Sequence, residues 1–546
     1  MSTQTLPETT AELTTKPFHV VVSDPLPAEA LEKLRGVARI TARDSFPKEE
    51  LIEILKSADA LLVRSGTKVT AEILEHANKL RIIGRAGVGV DNIDVKAATQ
   101  KGIIVVNSPE GNTVSAAEQT LALMLALLRH LPQAAASTAK GGWERKKFTG
   151  VELYNKTVGV LGLGKIGREV ASRVRAFKAR VIALDPFITE EHARELDLEL
   201  ADLDTILREA DLITVHTPLT KETRGLIGRD QIAKMKKGAR IVNCARGGIV
   251  DEEALYEGIT SGHLGGAALD VFGEEPPVGS KLLGLDNVIC TPHLGASTEE
   301  AQMKVALDVA EQVADVLQGR PARAAVNLPS LPAEQMAVLE PYLHLAERMG
   351  AFLAQMSEGA IERVEVAYGG DLCKLRLEPV TWSVLKGLLS VNHAESVNYV
   401  NAPVIAQARG IQVQESRRGQ VRDYVNLIEV SVRTKSEEHR CEGTIFGTDD
   451  ARIISVDGQR MDLHPAGHKL MTWQEDTPGV VGRIGTFLGE SNINIAEMQV
   501  ARDKPRGQAL MVLSIDEPVG PALLTRIQGM SGIRNAREVS LGDPRN

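Results

Sequence analysis

Cysteine is scarce in this sequence. Four cysteines occur among 546 residues, and none forms a CxxC pair or a spacing typical of zinc ligands. This scarcity excludes a disulfide-stapled secreted domain and indicates reduced thiols in a cytoplasmic protein without a metal site. Aromatic residues make up only 3% of the chain, which disfavours a binding protein built on aromatic surfaces.

Long apolar runs and an excess of positive charge are lacking as well. The apolar run 121–128 is far too short to cross a bilayer, so no membrane is expected as a partner. Residues 1–17 contain neither the apolar core of a secretory signal nor the arginines of a transit peptide. We interpret residues 1–16 as a disordered tail. The net charge of −9 disfavours binding to nucleic acid.

Apolar residues are plentiful, at 43%, and a chain of this length predicts three or four domains. Strand and helix patterns alternate from residue 18 to about 292, which predicts parallel sheets with helices on both faces. Within this stretch, Ser115 and Glu118 have the spacing of a capping box and predict a helix start at Ser115. A stretch near residue 327 contains several prolines and predicts a linker. From His468 the order is strand, helix, strand, strand, helix, strand.

A glycine-rich motif follows a predicted strand. Gly162, Gly164 and Gly167 form G-x-G-x-x-G at the start of a predicted helix. The glycines permit a tight turn and the close approach of a pyrophosphate. The N–H groups of the first helical turn, at Lys165 and Ile166, would hold the phosphates. Three spaced glycines alone could also be a simple turn.

An acidic residue stands where this motif requires one. Asp185 ends the next strand, 23 residues after Gly162. A carboxylate there binds the ribose hydroxyls of NAD and repels the 2′-phosphate of NADP. The alternative is an acid exposed at a strand end. Strand, glycines, helix and carboxylate together predict NAD as the cofactor.

Three polar residues follow three late strands. Arg246, Glu275 and His293 would meet at the carboxyl ends of these strands, where doubly wound sheets bind ligands. Oxidation of an alcohol by hydride transfer needs a base such as histidine, a carboxylate to orient it, and an arginine to bind a substrate carboxylate. Each residue alone could instead be structural: a turn cap, an exposed acid or half of an ion pair.

Five sequence blocks resemble the signature blocks of the D-isomer-specific 2-hydroxyacid dehydrogenases, in that family's order. They are RAGVGVDNIDV (85–95), VGVLGLGKIGREVA (158–171), VNCARGGIVDEEAL (242–255), AALDVFGEEPP (267–277) and TPHLGAST (291–298). The resemblance covers residues 18–326 and implies that the arginine, glutamate and histidine are catalytic. It implies further cofactor contacts from the side chains or backbone of Thr217, Pro218, Cys244, Ala245, Asp270 and Gly295.

Fewer sequence patterns indicate the residues on the substrate side of the cleft than those on the cofactor side. Arg64 and Ser65 follow a strand and could bind a phosphate, or they could be a solvated strand end. The resemblance implies that the backbone N–H groups of Gly87 and Val88 cradle the substrate carboxylate. It also implies that the basic segment 145–147 lies at a dimer interface and brings positive charge to the partner's substrate. A solvated loop is the alternative.

The chain continues for 216 residues beyond residue 330. The last stretch resembles an ACT domain, a small ferredoxin-like module that binds amino acids, and the matching residues for L-serine are Asp476 and Asn494. Some relatives carry histidine where this chain has Gln474, which puts the serine response in doubt. Residues 327–465 resemble the intervening domain of the long members of the family. Arg460 and His464 there match a possible anion site or are plain surface residues.

These observations predict an α/β fold with a Rossmann-like cofactor domain inserted into a second doubly wound domain, followed by an α+β domain and a ferredoxin-like domain. The cofactor and substrate domains would close over the cleft at hinges near Asn112 and His293. The expected units are a tail (1–16), a substrate domain (17–112 and 295–326), an NAD domain (113–294), an intervening domain (327–465) and an ACT domain (466–546).

The expected activity follows from the resemblance: oxidation of 3-phospho-D-glycerate with NAD, at the start of L-serine synthesis, with L-serine as a possible effector. A homo-oligomer is expected, either a dimer or a tetramer, with the tetramer preferred. Two alternatives stay open. One is a reductase of another 2-oxo acid such as glyoxylate, hydroxypyruvate or 2-oxoglutarate. The other is a non-catalytic protein that senses NAD.

Overall fold

The computed structural model describes residues 17–329, 331, 333–391, 397–419, 421 and 423–542. The predicted tail, residues 1–16, lies outside the described residues. No described helix is long and apolar enough to cross a membrane. Over the same residues, no group of three or more His, Cys, Asp or Glu could hold a metal ion.

The first sheet has five parallel strands in the order β2-β1-β3-β4-β5. Its central strand, Ala60–Val63, is buried along its whole length because helices cover both faces. The strands are β1 (Phe18–Val22), β2 (Ala38–Ala42), β3 (Ala60–Val63), β4 (Ile82–Arg85) and β5 (Ile104–Val106). The helices are α1 (Ala28–Arg35), α2 (Lys48–Leu55), α3 (Ala71–Glu75) and α4 (Val95–Gln100).

The second sheet has seven parallel strands in the order β12-β11-β10-β9-β6-β7-β8. The strand order reverses between β6 and β9, and such a switch point is where doubly wound sheets bind their ligands. The strands are β6 (Thr157–Leu161), β7 (Arg180–Leu184), β8 (Glu199–Leu200), β9 (Leu212–Val215), β10 (Arg240–Asn243), β11 (Gly266–Leu269) and β12 (Val288–Cys290). The helices are α5 (Thr113–Arg129), α6 (Leu131–Ala139), α7 (Lys165–Ala176), α8 (Glu190–Glu195), α9 (Leu203–Glu209), α10 (Arg229–Lys234) and α11 (Glu252–Thr260).

The helix start predicted at Ser115 is wrong. Helix α5 begins two residues earlier, at Thr113, and the Ser115 hydroxyl donates to the Gly295 carbonyl at 2.9 Å. The serine therefore joins the two segments that connect the sheets, instead of capping the helix.

After β12 the chain returns to the first sheet. Helix α12 (Glu299–Leu317) buries Val309 and Val313 against β4, where the Gly84 Cα lies so close that an added Cβ would be 2.5 Å from the Val309 side chain. The second sheet is thus inserted into the first unit, as predicted, while the exact domain boundaries stay a prediction.

The third sheet is mixed, with the order β14-β13-β15-β16-β17-β18. Its strands are β13 (Ile361–Gly370), β14 (Gln412–Arg418), β15 (Asn426–Thr434), β16 (Glu438–Phe446), β17 (Asp450–Val456) and β18 (Gln459–Leu463). The helices α13 (Ala333–Met356), α14 (Glu378–Ser390) and α15 (Ala402–Ala408) pack beside it.

The last sheet is antiparallel, in the order β20-β21-β19-β22. Its elements are β19 (His468–Glu475), α16 (Val480–Glu490), β20 (Ile495–Arg502), β21 (Gln508–Ile515), α17 (Gly520–Gln528) and β22 (Ile533–Ser540). One face carries the two helices, and the other buries Met471, Val512 and Val539 in the core of the preceding domain. The last two domains therefore share one hydrophobic core. The predicted fold class is confirmed.

Candidate active site

The glycine loop lies between β6 and α7, at the switch point of the second sheet. Gly162 has a φ of 98°, and an added Cβ on Gly167 would lie 1.9 Å from the Gly162 carbonyl oxygen. A Cβ on Gly164 would meet nothing within 4 Å, so open space lies over the start of α7. The N–H groups of the first turn, including those of Lys165 and Ile166, face a space that suits a pyrophosphate. The Lys165 ammonium pairs with Glu110.

Two side chains at the rim of this loop fit the remainder of NAD. The Asp185 carboxylate accepts the N–H groups of Leu163 at 2.7 Å and Phe187 at 2.9 Å, which fixes it beside the loop. The hydroxyl of Thr217 is buried without a hydrogen-bond partner among the described residues, and its methyl group lies against Gly162. A bound cofactor would supply the missing partner. Pro218 follows, with its carbonyl bonded to the Thr223 hydroxyl at 2.6 Å.

His293 and Glu275 form a pair at the end of the sheet. Nδ1 of His293 lies 2.9 Å from Oε2 of Glu275, and Oε1 of the same carboxylate accepts the Phe272 N–H at 3.1 Å. Partial burial raises the pKa of Glu275, but the hydrogen bond and charge of His293 outweigh it, and the pKa is below its usual range. The carboxylate is therefore ionised, and Nε2 of the imidazole has no hydrogen-bond partner among the described residues.

Asp270 holds the loop that carries His293. Its fully buried carboxylate accepts the Thr291 hydroxyl at 2.5 Å and the N–H groups of Leu294 and Gly295, both at 2.8 Å. His293 has a positive φ of 56° in this loop, a conformation that such anchoring stabilises. The structure thus gives Asp270 a structural role, and its contact with the nicotinamide stays a prediction.

Arg246 is held in a tight turn after β10. The Asn243 amide donates to the Arg246 carbonyl at 2.9 Å and accepts the Ala245 N–H at 3.0 Å, and the guanidinium donates to the Ala245 carbonyl at 2.7 Å. Burial raises the pKa of the neighbouring Cys244 thiol to about 12. This thiol therefore stays protonated and cannot serve as a nucleophile.

The residues predicted on the substrate side lie on the facing sheet. The backbone N–H of Arg64 donates to Asp24 at 2.5 Å, and Ser65 beside it is exposed. The Gly87 N–H donates to the Arg85 carbonyl at 2.9 Å. In this conformation, therefore, Val88 offers a free N–H within the described residues, whereas Gly87 does not.

Two functional candidates escaped the sequence analysis. Arg85 ends β4 and packs on Gly87, and its Nε atom is buried without a partner among the described residues. Burial lowers the pKa of Arg85, as do the charges of Arg246 and Arg64. Asp91 lies 3.2 Å from Nε of Arg246. The signal that could have found Arg85 is its place at the carboxyl end of a parallel strand, the rule that singled out Arg64.

The basic segment 145–147 is exposed beside α6, a helix with no buried residue. Trp143 in the same region leaves 80% of its surface exposed. The structure of one chain does not bring this segment into contact with the residues of the cleft.

The two predicted effector residues lie at opposite ends of the last sheet. The Asp476 carboxylate follows β19 and accepts from Arg502 at 2.8 Å and from the Arg506 N–H at 2.9 Å. Asn494 precedes β20 at the other end, where its amide donates to Asp516 at 2.7 Å. Gln474 is buried, 3.2 Å from the Thr472 hydroxyl. Arg460 and His464 are both exposed.

A Rossmann sheet inserted into a second parallel sheet, with an Arg–Glu–His set at its mouth, defines a D-isomer-specific 2-hydroxyacid dehydrogenase. The model of that family's NAD-binding domain matches residues 121–295, which confirms NAD as the cofactor. Models of the D-3-phosphoglycerate dehydrogenase intervening domain and of the ACT domain match residues 338–457 and 468–531.

Relatives that match nearly the whole chain identify the family more closely. The chain is 48% identical to the D-3-phosphoglycerate dehydrogenase of Synechocystis over 523 residues, 96% of this chain and 94% of the relative. It is 46% identical to that of Methanocaldococcus jannaschii, over 96% of this chain and 99% of the relative. The chain therefore belongs to the D-3-phosphoglycerate dehydrogenase family, which confirms the resemblance found in the sequence.

Solved structures resemble the first half of the chain. A D-lactate dehydrogenase from Aquifex aeolicus, complexed with NAD and lactic acid, aligns with a TM-score of 0.51 and 29% identity, covering 57% of this chain and 100% of that one. A glyoxylate reductase from Paecilomyces thermophila aligns with a TM-score of 0.53 and 28% identity, covering 58% of this chain and 99% of that one.

Proposed function

We propose that this chain oxidises 3-phospho-D-glycerate to 3-phosphohydroxypyruvate with NAD, the first step of L-serine biosynthesis. The observation that carries this assignment is the convergence of Arg64, Arg85 and Arg246 on a cleft that also holds a histidine–carboxylate pair. Asp91 and Asp24 offset part of the mutual repulsion of these cations, and a highly charged anion would neutralise the remainder. A substrate with a phosphate and a carboxylate meets this requirement, whereas lactate or glyoxylate brings a single negative charge.

Each residue of the site has its own role in the proposed reaction. Nε2 of His293 accepts the proton of the substrate hydroxyl, and Glu275 stabilises the resulting imidazolium at Nδ1. Arg246 binds the substrate carboxylate and polarises the carbonyl oxygen as it forms. Bound on the glycine loop, NAD supplies the hydride acceptor. Arg64 and Arg85 bind the phosphate.

The geometry supports catalysis over a purely NAD-sensing role. A sensor needs the glycine loop and Asp185, but it has no use for an imidazole held 2.9 Å from a carboxylate with Nε2 open to the cleft. It also has no use for three arginines on the substrate side. Turnover would exclude the sensor directly.

A homo-oligomer is the finer proposal for the assembly. The exposed Trp143 and Leu131 leave apolar surface uncovered on one chain, and exposed apolar surface of this kind is typical of interaction sites. We place a dimer contact there and a second contact at the ACT domain, which together make a tetramer. A cytoplasmic location fits the four cysteines, which are all free in the structure.

L-serine as an effector belongs to the same proposal. Asp476 and Asn494 lie at opposite ends of one ACT sheet, so a site that uses both needs two chains paired with their ends reversed. Asp476 is already bonded to Arg502, and serine would have to displace or share this contact. The ACT face packed into the preceding core offers a rigid route from the effector site to the body of the protein.

The deciding experiment measures NADH formation from 3-phosphoglycerate at alkaline pH, with and without L-serine, beside a His293→Ala variant. Activity that falls about 10²–10⁴-fold in the variant supports the assigned base, and activity that falls with serine supports the effector site. Turnover of D-glycerate or 2-hydroxyglutarate in place of phosphoglycerate would reassign the substrate. Full activity without a serine effect would remove only the effector proposal.

A further inference from the structure

A second polar cavity lies at the end of the cofactor sheet that faces away from the glycine loop. It has a volume of about 160 Å³ and sits at the amino ends of β6, β9 and β10. The cofactor loop follows the carboxyl end of β6, so the two sites are separated by the length of the strands. We call this second cavity the floor cavity; nothing in the proposed reaction uses it.

The floor cavity is strongly basic in an acidic protein. Lys156, Lys236, Lys237 and Arg240 line it, against one carboxylate, Asp211. That carboxylate is already engaged, because it lies 3.2 Å from the Lys236 ammonium and accepts the Thr157 N–H at 2.9 Å. The other three cations form no ion pair within the described part of the chain. Clustered like charges without counter-ions favour the binding of an anion.

Arg240 shows the strongest sign of a missing partner. Its Nε atom is buried without a hydrogen-bond partner among the described residues, and its Nη1 atom makes only a long hydrogen bond of 3.4 Å to the Gly238 carbonyl. Burial lowers the pKa of this arginine, with no carboxylate to compensate. A buried donor left unpaired destabilises the fold, and an anion in the cavity would supply the acceptor.

The apolar part of the wall links the cavity to the exposed segment described above. Leu128 near the end of α5 and Val151 both line it, and the Val151 N–H donates to the Leu128 carbonyl at 2.9 Å. Residues 129–150, which include α6 and Trp143, form a segment whose two ends meet at this hydrogen bond. We call this meeting point the neck of the segment. An occupant of the cavity therefore touches the neck of that segment on one side and the cations on the other.

We propose that the floor cavity binds a small phosphate-class anion, either inorganic phosphate or the phosphate group of a short ester. Tetrahedral oxyanions offer acceptors in several directions, which matches cations arriving from β10 and from the turn before it. The short apolar wall leaves room for a few carbon atoms beside the phosphate. Occupancy braces the neck of residues 129–150 against the sheet.

The test counts bound phosphate on the full chain by equilibrium dialysis at fixed ionic strength. The variant Lys156→Ala/Lys237→Ala removes two cavity cations, and Lys221→Ala/Lys234→Ala is a charge-matched control outside the cavity. We expect the parent and the control to bind one more phosphate per chain than the cavity variant, or the cavity variant to bind it at least fivefold more weakly. Phosphate should also raise the thermal midpoint of the parent more than that of the cavity variant.

The cleft is a second phosphate site, so an Arg64→Ala variant separates the two. Loss of all phosphate binding in Arg64→Ala, with none lost in the cavity variant, would overturn the proposal. Repeating the dialysis with glycerol 3-phosphate distinguishes an ester from the free anion. The cavity variant should retain turnover of 3-phosphoglycerate, so this site and the proposed activity stand or fall separately.

Discussion

The two faces of the cleft are built in opposite ways. On the cofactor face, the groups that hold His293 and Arg246 already have partners: Asp270 has three donors, Glu275 has two, and Asn243 bonds across the turn before Arg246. On the substrate face, Arg85 is partly buried with an unpaired Nε, and both cations (Arg246 and Arg64) and carboxylates (Asp91 and Asp24) lie near it. The first face is preorganised for chemistry. We expect the second face to be less stable until an anion pairs with Arg85, because a buried donor without a partner costs free energy.

The largest effect is expected from breaking the preorganised face. Asp270→Ala removes a fully buried carboxylate and leaves three donors unpaired, which should cost about 3–5 kcal/mol in the free energy of unfolding. The loop of His293 then loses its anchor, and kcat should fall by about 10²-fold or more. Denaturant unfolding and steady-state kinetics measure the two effects.

The exposed Asp286→Ala is the matched control for this variant and should change neither quantity. If Asp270→Ala retained a normal kcat, the loop would hold His293 without its anchor, and the contrast between the two faces would lose its main support.

The opposite result is expected on the substrate face. Arg85→Met removes a partly buried, unpaired cation while keeping the apolar stem, so the free protein should gain about 1 kcal/mol of stability, or roughly 2–4 °C in Tm. The KM for 3-phosphoglycerate should rise about 10–100-fold, whereas the KM for NAD should stay constant. Calorimetry and kinetics on one preparation test both. Arg81 directly precedes the same strand, and Arg81→Met is the control for the effect that loss of any arginine would have on stability and KM.

A rise in stability together with a loss of binding would establish that Arg85 is strained for function. A fall in stability would instead make Arg85 a structural residue, and the substrate face would then resemble the cofactor face.

Asp91 sharpens the comparison because it bridges the two faces. Its carboxylate lies 3.2 Å from the guanidinium that should bind the substrate carboxylate, and the two carboxylates compete. Asp91→Asn should therefore lower the KM for 3-phosphoglycerate by about two- to fivefold, since a partly exposed ion pair is worth up to about 1 kcal/mol. Asp91→Glu, which retains the charge, should leave KM close to that of the parent. A higher KM with a lower kcat in Asp91→Asn would mean that Asp91 positions Arg246.

The comparison also shows which features were predictable. The positions of the glycine loop, Asp185 and the Arg–Glu–His set at one edge of the sheet were predictable, because each depends on a local pattern at a strand end and parallel strands bring their carboxyl ends to one edge. Arg85 and Asp91 lie in the block RAGVGVDNIDV, which carried the family resemblance, yet their unpaired or competing charges depend on contacts with the other sheet. No local pattern contains that information.

Tertiary contacts explain the other differences. Ser115 was predicted to cap a helix, but it bonds the Gly295 carbonyl, 180 positions away in sequence. The Gly87 N–H was expected to face the substrate, but a local turn directs it to Arg85. The separation of Asp476 from Asn494 was implicit in the predicted element order, because the intervening helix returns the chain to the far end of the sheet. The hydrophobic core shared by the last two domains could not be predicted from the spacing of apolar residues in the sequence.

The smallest effect concerns pH and the pair of His293 and Glu275. Because the pKa of Glu275 lies below its usual range in the folded protein, its ionised form stabilises the fold above the unfolded pKa of about 4.5. That stabilisation is lost as the pH falls through the lower folded value. Glu275→Gln should thus lower the stability at pH 7 by less than about 1 kcal/mol, since the side chain is 40% exposed. The deficit should stay constant from pH 7 to about pH 4.5 and shrink as urea unfolding is carried to lower pH, whereas the exposed neighbour Glu274→Gln should show no deficit at either end. A deficit that stayed constant below about pH 4.5 would mean that the carboxylate acts through packing, so that charge would play no part in preorganising the cofactor face.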